Sequence, residues 1–437
     1  MELKFVSHAS IIVVAEDATI WSDPWLDGKV FNESWSLSPA SHFDSAYYDL
    51  IDYIWISHEH PDHFHIPTLK SLPKSFKEKV TILFQENNSN KLSDALSKLG
   101  YQKIIRLPHR RFVKITPKTT IWNYQVGLMD SVLAICSQNE TILNLNDAQI
   151  SIRDAQLIKK QLTKIDVLLN QFSMAGYNGQ SDYKNRLPHQ ANLMLERFYK
   201  THEMLAPKKT IPFASMIYFS SHDNKYMNDY SNTPASVYRY FKSNDRENDI
   251  VIMYPGDLYV VDVDYPNDMA LKKYSDNEKT KHHVFSDPVT ISKNELTESF
   301  CRLHHIIKKR YYRTLIKAFL KPLYIQIPDL DATFLFDIAS GKFYEVAHTP
   351  DLIIYSQPLN FAMKFDWGFQ TLGVSARHQV MHNYNNYKRH RILFALNNAE
   401  VWLKVHLLFT IKNLKWITKR LNGLFRQLKY RTIRQAE

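Results

Sequence analysis

Two cysteines in 437 residues, Cys136 and Cys301, are too few and too far apart for a disulfide framework, a cysteine-ligated zinc site or an iron–sulfur cluster. Glycine is scarce too, with ten in the chain, and neither a Gly-rich phosphate loop nor a dinucleotide fingerprint is present. No apolar run reaches the ~18 residues that span a bilayer. The start, Met-Glu-Leu-Lys-Phe-Val-Ser-His, lacks the basic-then-apolar layout of a signal peptide. Internal repeats and low-complexity tracts are missing as well. These absences leave a globular protein expected in a reducing cytoplasm. At 44% hydrophobic residues the chain can bury a substantial core, and its length suits two or three domains.

The net charge of +11 is not spread evenly. Residues 401 to 437 carry nine Lys or Arg against one acid, so +8 of it belongs to the tail. Leu407, Leu408, Ile411, Leu414, Ile417, Leu421, Leu424, Phe425 and Leu428 recur there at near-helical spacing, with Lys412, Lys415, Lys419, Arg420 and Arg426 between them. Such a basic amphipathic helix can lie on an anionic membrane surface, here the inner face, or dock on its own protein. Nucleic acid is the least favoured partner.

What the sequence does have is a concentration of metal-binding side chains. Residues 57 to 65 read Ser-His-Glu-His-Pro-Asp-His-Phe-His, directly after the apolar, β-favouring run Tyr53, Ile54, Trp55, Ile56. If that strand reaches the sheet end, His58 and His60 project to the same side and can share one ion. Pro61 breaks the strand, so Asp62 and His63 can turn toward a second ion, roughly 3.5 to 4 Å away as in two-metal sites.

Coarse patterning places other elements around this motif. Residues 2 to 7, 10 to 15 and 18 to 22 read as a meander, with further strands at 80 to 84, 112 to 125, 131 to 136, 141 to 145, 165 to 169 and 210 to 219. Helices are expected at 90 to 99, 151 to 162 and 188 to 204. Residues 263 to 285, rich in Asp, Asn and Lys, read as a linker between a catalytic domain over 1 to 262 and an α+β domain over 286 to 400. In the latter, Ser292 and Glu295 form a capping box for a helix over 293 to 320. Alternating strands are then expected at 332 to 338, 342 to 347, 351 to 355 and 359 to 366.

The His58-x-His60-x-Asp62-His63 motif, with Ser22-Asp23-Pro24-Trp25 upstream, resembles the metallo-β-lactamase-fold superfamily. The resemblance implies an αββα sandwich with a dinuclear site at its strand ends, followed here by the smaller α+β domain and the basic tail. The segments 144 to 147, 171 to 176 and 212 to 222 are similar to the branch containing the CMP-N-acetylneuraminate hydroxylases, over about residues 1 to 260. By position, Asp147 matches the bridging carboxylate and His222 the final histidine of the second metal. Asp23 matches a carboxylate that orients a ligating histidine. Hydrolytic members place a histidine between the main motif and the bridging Asp, yet residues 112 to 147 contain none. Asp130 is the candidate there, with His109 as the fallback.

His8 is expected near the pocket, as a catalytic or substrate-binding side chain or simply as the residue that closes a hairpin; Asp62 is the other catalytic candidate. Gln171, Ser173, Tyr177 and Asn224 are expected to rim the pocket and contact substrate. A carboxylate in place of an imidazole shifts metal preference from zinc toward iron or manganese. Two divalent ions are therefore expected, iron first. The favoured reading is a diiron oxygenase acting on a polar, nucleotide-sugar-like small molecule. The alternative is a two-metal zinc hydrolase of an ester, lactone or phosphodiester; a metal-bound scaffold or lipid-binding module is a third. The sialic acid hydroxylases carry a Rieske cluster, whose ligands Cys136 and Cys301 cannot supply, so the oxygenase reading requires a separate electron donor.

Overall fold

The computed structural model describes residues 1–86, 90–127, 129–280, 282–399 and 401. The tail proposed as a membrane-binding helix lies almost wholly outside the described residues. Among those described, no helix is long and apolar enough to cross a membrane.

Seven strands form the first sheet, in the order Leu258–Val260, Glu2–Ser7, Ser10–Val14, Thr19–Ser22, Tyr53–Ile56, Thr81–Gln85 and Lys103–Leu107. The N-terminal strands pair antiparallel as a meander. From Thr19–Ser22 onward the neighbours are parallel, with Ile66–Ser71, Lys74–Lys79 and Lys91–Lys98 as helices in the crossovers. The second sheet runs Lys209–Phe213, Val167–Gln171, Glu140–Asn144, Asp130–Ser137, Thr119–Val126 and Phe112–Lys114.

Side-chain alternation along each strand builds the layers. Leu3, Phe5, Ile11, Val13, Trp55 and Leu83 meet Ile121, Leu133, Ile135, Ile142, Leu169 and Ile211 in one core between the sheets. The intervening Ile12, Trp21, Ile54, Ile56, Ile82 and Phe84 face outward onto Leu69, Phe76, Leu92 and Leu96 of the covering helices. On the far side Trp122, Tyr124, Val132, Leu143 and Leu168 pack on Ala155 and Ile158 of helix Ile152–Gln161. The result is an αββα sandwich.

Residues from 286 onward build a second core on a five-stranded sheet, ordered Lys342–Glu345, Ala332–Asp337, Leu323–Ile327, Leu352–Ile353 and Gln379–Val380. Three sequence expectations need correction. The supposed linker holds helix Asn267–Thr280, whose Ala270 and Tyr274, four residues apart, bury into the sandwich core; its polar composition masks this narrow apolar stripe. Residues 359 to 366 belong mostly to helix Ser356–Lys364, because Leu359, Ala362 and Met363 follow a helical period. The helix capped by Ser292 ends at Arg310, and a separate one covers Arg313–Phe319.

The two cores are joined by segment 373 to 380. Arg377 is buried with its Nε 2.8 Å from both Asp223 oxygens, one terminal nitrogen donating to Asn32 O (2.8 Å) and the other to Gln357 Oε1 (3.1 Å). Asn224 Nδ2 donates to Ser34 O and Ser375 O, at 3.0 and 2.8 Å. The chains approach so closely that a Cβ on Gly176 would collide with the backbone of Gly373 and Val374. Replacing Arg377 with Met strands a buried carboxylate, and we expect a loss of about 3–5 kcal/mol. Urea unfolding should show it, with partial recovery when Asp223→Asn is added.

Candidate metal centre

Strand Tyr53–Ile56 lies inside the first sheet, between Thr19–Ser22 and Thr81–Gln85, so its carboxyl end opens onto the crevice where open α/β sheets bind ligands. Past it the chain turns sharply: the N–H groups of His63 and Phe64 both donate to His60 O, at 3.0 and 2.7 Å. That turn gathers the motif. His58 Nε2 and His60 Nδ1 lie 2.8 Å apart and face one point. Asp147, two residues beyond Leu145 in a turn where Asn146 adopts φ 54°, brings Oδ2 within 3.8 Å of His58 Nε2 and 3.6 Å of His63 Nε2. Asp62 Oδ2 stands 3.2 Å from His63 Nε2 and 3.3 Å from His8 Nε2.

Two groups of three result, His58 with His63 and Asp147, and His8 with Asp62 and His63. In each, one ligand atom per residue lies within 4.8 Å of the others. Several buried atoms here make no hydrogen bond: His63 Nε2, Asp62 Oδ1, Asp147 Oδ1 and both nitrogens of His8. An unsatisfied buried polar atom costs about 1–3 kcal/mol. So many at one spot, all on nitrogen or carboxylate oxygen, fit a set of cation ligands.

Behind the ligands sits Asp23. Its Oδ2 accepts from Ser57 Oγ (2.6 Å), Asn146 Nδ2 (2.7 Å) and His63 Nδ1 (2.8 Å), and its Oδ1 from Ser57 N (2.8 Å). Holding His63 by Nδ1 leaves Nε2 to face the cluster. Ser57 Oγ donates to Asp23 and so can accept from His58 Nδ1, 3.0 Å away, which directs His58 Nε2 toward His60 Nδ1 and Asp147. Asp23 itself adopts φ 38°, a left-handed conformation that Asp tolerates better than most residues. Ser57 and Asn146 were not foreseen from the sequence, although an Asn before an Asp after a strand signals a tight turn.

Electrostatics complement the geometry. Burial pushes the His58 and His60 imidazoles down, toward the neutral form that binds metal. Burial would also lower His63, but Asp62, Asp147 and Asp23 outweigh it and hold that imidazole well above its usual range. A cation bound at Nε2 would take the place of that proton. For Asp62 and Asp147 burial acts upward, and the facing histidines more than offset it. Asp130 starts strand Asp130–Ser137, where Ser131 Oγ donates to Ser57 O at 2.6 Å. Burial and then Asp147 push its carboxyl up to about 7, with His60, His63 and Asp62 also acting on it.

Residues 2–170 match the family model of the beta-lactamase superfamily domain. The match covers less than half of the chain. The chain is 25% identical over 186 residues to a putative Rieske 2Fe-2S iron-sulfur protein of Mycobacterium tuberculosis, covering 40% of this chain and 35% of that one. It therefore spans about a third of the length of such curated relatives. Over 75 residues it is 36% identical to the cytidine monophosphate-N-acetylneuraminic acid hydroxylase of Asterias rubens, 16% of this chain and 11% of that protein. Among solved structures, an isothiocyanate hydrolase from Delia radicum gut bacteria matches with TM-score 0.45 at 15% identity, over 60% of this chain and 99% of that one.

Other expected site residues are placed differently. His222 is 43% exposed, with Nε2 3.6 Å from Asp287 and its N–H on Ser286 O, because the Ser221–Asn224 turn is tied to the second core rather than to the crevice. His109 is exposed and accepts from Gln125 N. Ser173 Oγ, Tyr177 OH and Asn224 Nδ2 are engaged by Asn232 N, Gln180 O and the Ser34 and Ser375 carbonyls, so they hold loops together. Gln171 does line a narrow crevice beside Asp147, with Asn170, Arg197 and Thr201. His65 caps helix Ile66–Ser71 by accepting from Thr68 N.

The Asp23 network predicts a measurable effect of a nearly isosteric change. Asp23→Asn keeps the volume and removes the charge that orients His63, and metal affinity should fall about 10- to 100-fold. Competition against a chromogenic chelator reads this directly; an unchanged affinity would show that Asp23 only supports the turn.

Proposed function

We propose that this chain is a dinuclear-metal enzyme, and specifically a diiron oxygenase that hydroxylates a polar small molecule with electrons from a separate donor. The observation that carries the reading is Asp130. It lies in a stretch that has no histidine and interacts electrostatically with Asp147, His60, His63 and Asp62, and in this reading it would add a third carboxylate to Asp62 and Asp147. Hard oxygen ligands favour iron or manganese over zinc. The similarity to a cytidine monophosphate-N-acetylneuraminic acid hydroxylase supports the same class, and with it a nucleotide-sugar-like substrate.

In this reading His58, His60, Asp62, His63, Asp130 and Asp147 would hold the two ions. Bound there, a pair of irons supplies the activation of dioxygen. The protein supplies the rest. Asp23 and Ser57 fix the two imidazoles, so the ligand set is formed before metal arrives. Trp25 and Trp35 keep the side of His8 dry. Gln171, Asn170 and Arg197 line the narrow crevice beside Asp147. Cys136 and Cys301 are free and cannot ligate a Rieske cluster, so electrons must come from elsewhere.

Protein purified without oxygen should contain two irons per chain and show an absorption spectrum that changes on exposure to air. Tightly held zinc, with turnover of an ester, lactone or phosphodiester, would establish the hydrolase reading instead. Asp130→His should keep metal binding and shift its selectivity toward zinc; unchanged metal content and activity would remove Asp130 from the ligand set.

A further inference from the structure

We infer that His8, from the first hairpin of the chain, is the closing ligand of the second ion, in the role that position alone would give to His222. The inference rests on the dinuclear reading above and concerns which side chain completes it.

Geometry is the main argument. His8 is 2% exposed, and neither ring nitrogen meets the geometry of a hydrogen bond. Its Nε2 lies 3.3 Å from Asp62 Oδ2, and one nitrogen of His8, one oxygen of Asp62 and one nitrogen of His63 share a sphere of ligand-to-ligand distances under 4.8 Å. Asp62 Oδ1 and His63 Nε2, which face the same space, make no hydrogen bond either.

The backbone explains why the ring points there. Residues 8 and 9 turn between strands Glu2–Ser7 and Ser10–Val14; His8 O accepts from Ala214 N at 2.9 Å, and Ser7 Oγ donates to Trp25 O at 2.7 Å. Both ends of the turn are thus fixed. Trp25, edge-on at 5.6 Å between ring centroids, and Trp35 at 6.5 Å wall the imidazole on its other sides and offer it no acceptor. A side chain that merely closed a hairpin would have no reason to be aimed at Asp62. His222, by contrast, is exposed and faces Asp287.

Zinc(II) and cobalt(II) titrations of the full chain, with metal content measured after gel filtration, should give two ions for the wild type and for His222→Ala but one for His8→Ala. With cobalt(II), His8→Cys should add a thiolate-to-metal charge-transfer band absent from the wild type, a signal that a structural role could not produce. A zinc anomalous map of wild-type crystals, which needs no variant, should place an ion about 2.0–2.1 Å from a His8 nitrogen. Two ions of unchanged affinity in His8→Ala, no band in His8→Cys, or an ion bound by His222 would overturn the inference and leave the dinuclear reading intact. Fewer than two ions in the wild type would overturn that reading itself.

Discussion

The carboxylate of Asp23 is the constraint on which the rest of the centre depends. It is fully buried, and its oxygens are satisfied by Ser57, Asn146 and His63. Each of those partners lies on a different segment. Ser57 follows the strand Tyr53–Ile56, Asn146 follows Glu140–Asn144 of the opposite sheet, and His63 comes after the Pro61 turn. One carboxylate therefore pins the carboxyl ends of both sheets to each other, and the candidate ligands Asp147 and His58 are set as a by-product of that pinning. A buried charge is tolerated only when its hydrogen bonds are complete, so the network is formed whole or not at all.

The sandwich was legible because its strands obey a period of two with strongly apolar faces. Trp55 faces one core while Ile54 and Ile56 face the other, and this alternation is written in the residues themselves. The elements that escaped reading lie where polarity and period disagree. Helix Asn267–Thr280 buries only Ala270 and Tyr274 among its 14 residues, and its acids and lysines outvote them in any composition window. In Ser356–Lys364 a short apolar stretch fits either period, and burial on one side of a helix decided it.

At the site, local signals carried and long-range ones did not. The His58 to His63 motif needs only a strand end and a proline to be read. Gln171 ends up beside Asp147 because two adjacent parallel strands, Glu140–Asn144 and Val167–Gln171, stop at the same edge. Ser173, Tyr177 and Asn224 sit in loops of equal polarity but bond to Asn232, Gln180, Ser34 and Ser375, partners up to 190 residues away that no local pattern announces.

The fate of the loop after strand Ile217–Phe219 ties these observations together. Its residues Ser221 to Asn224 could in principle turn toward the crevice and deliver His222. They are instead committed to the second core: Asp223 receives Arg377, Asn224 reaches Ser375 O, and His222 N–H bonds Ser286 O. Swinging His222 inward would break a buried ion pair and several hydrogen bonds to the backbone, a far larger penalty than one imidazole ligand at a site that already holds three others. A ligand from the N-terminal hairpin carries no such conflict, because His8 is fixed by Ala214 and Ser7 by Trp25 without contact to the second core. With Asp223 and Asn224 committed in this way, the loop serves as the junction between the two cores, and the chain path that builds the junction is the one that keeps His222 out of the crevice.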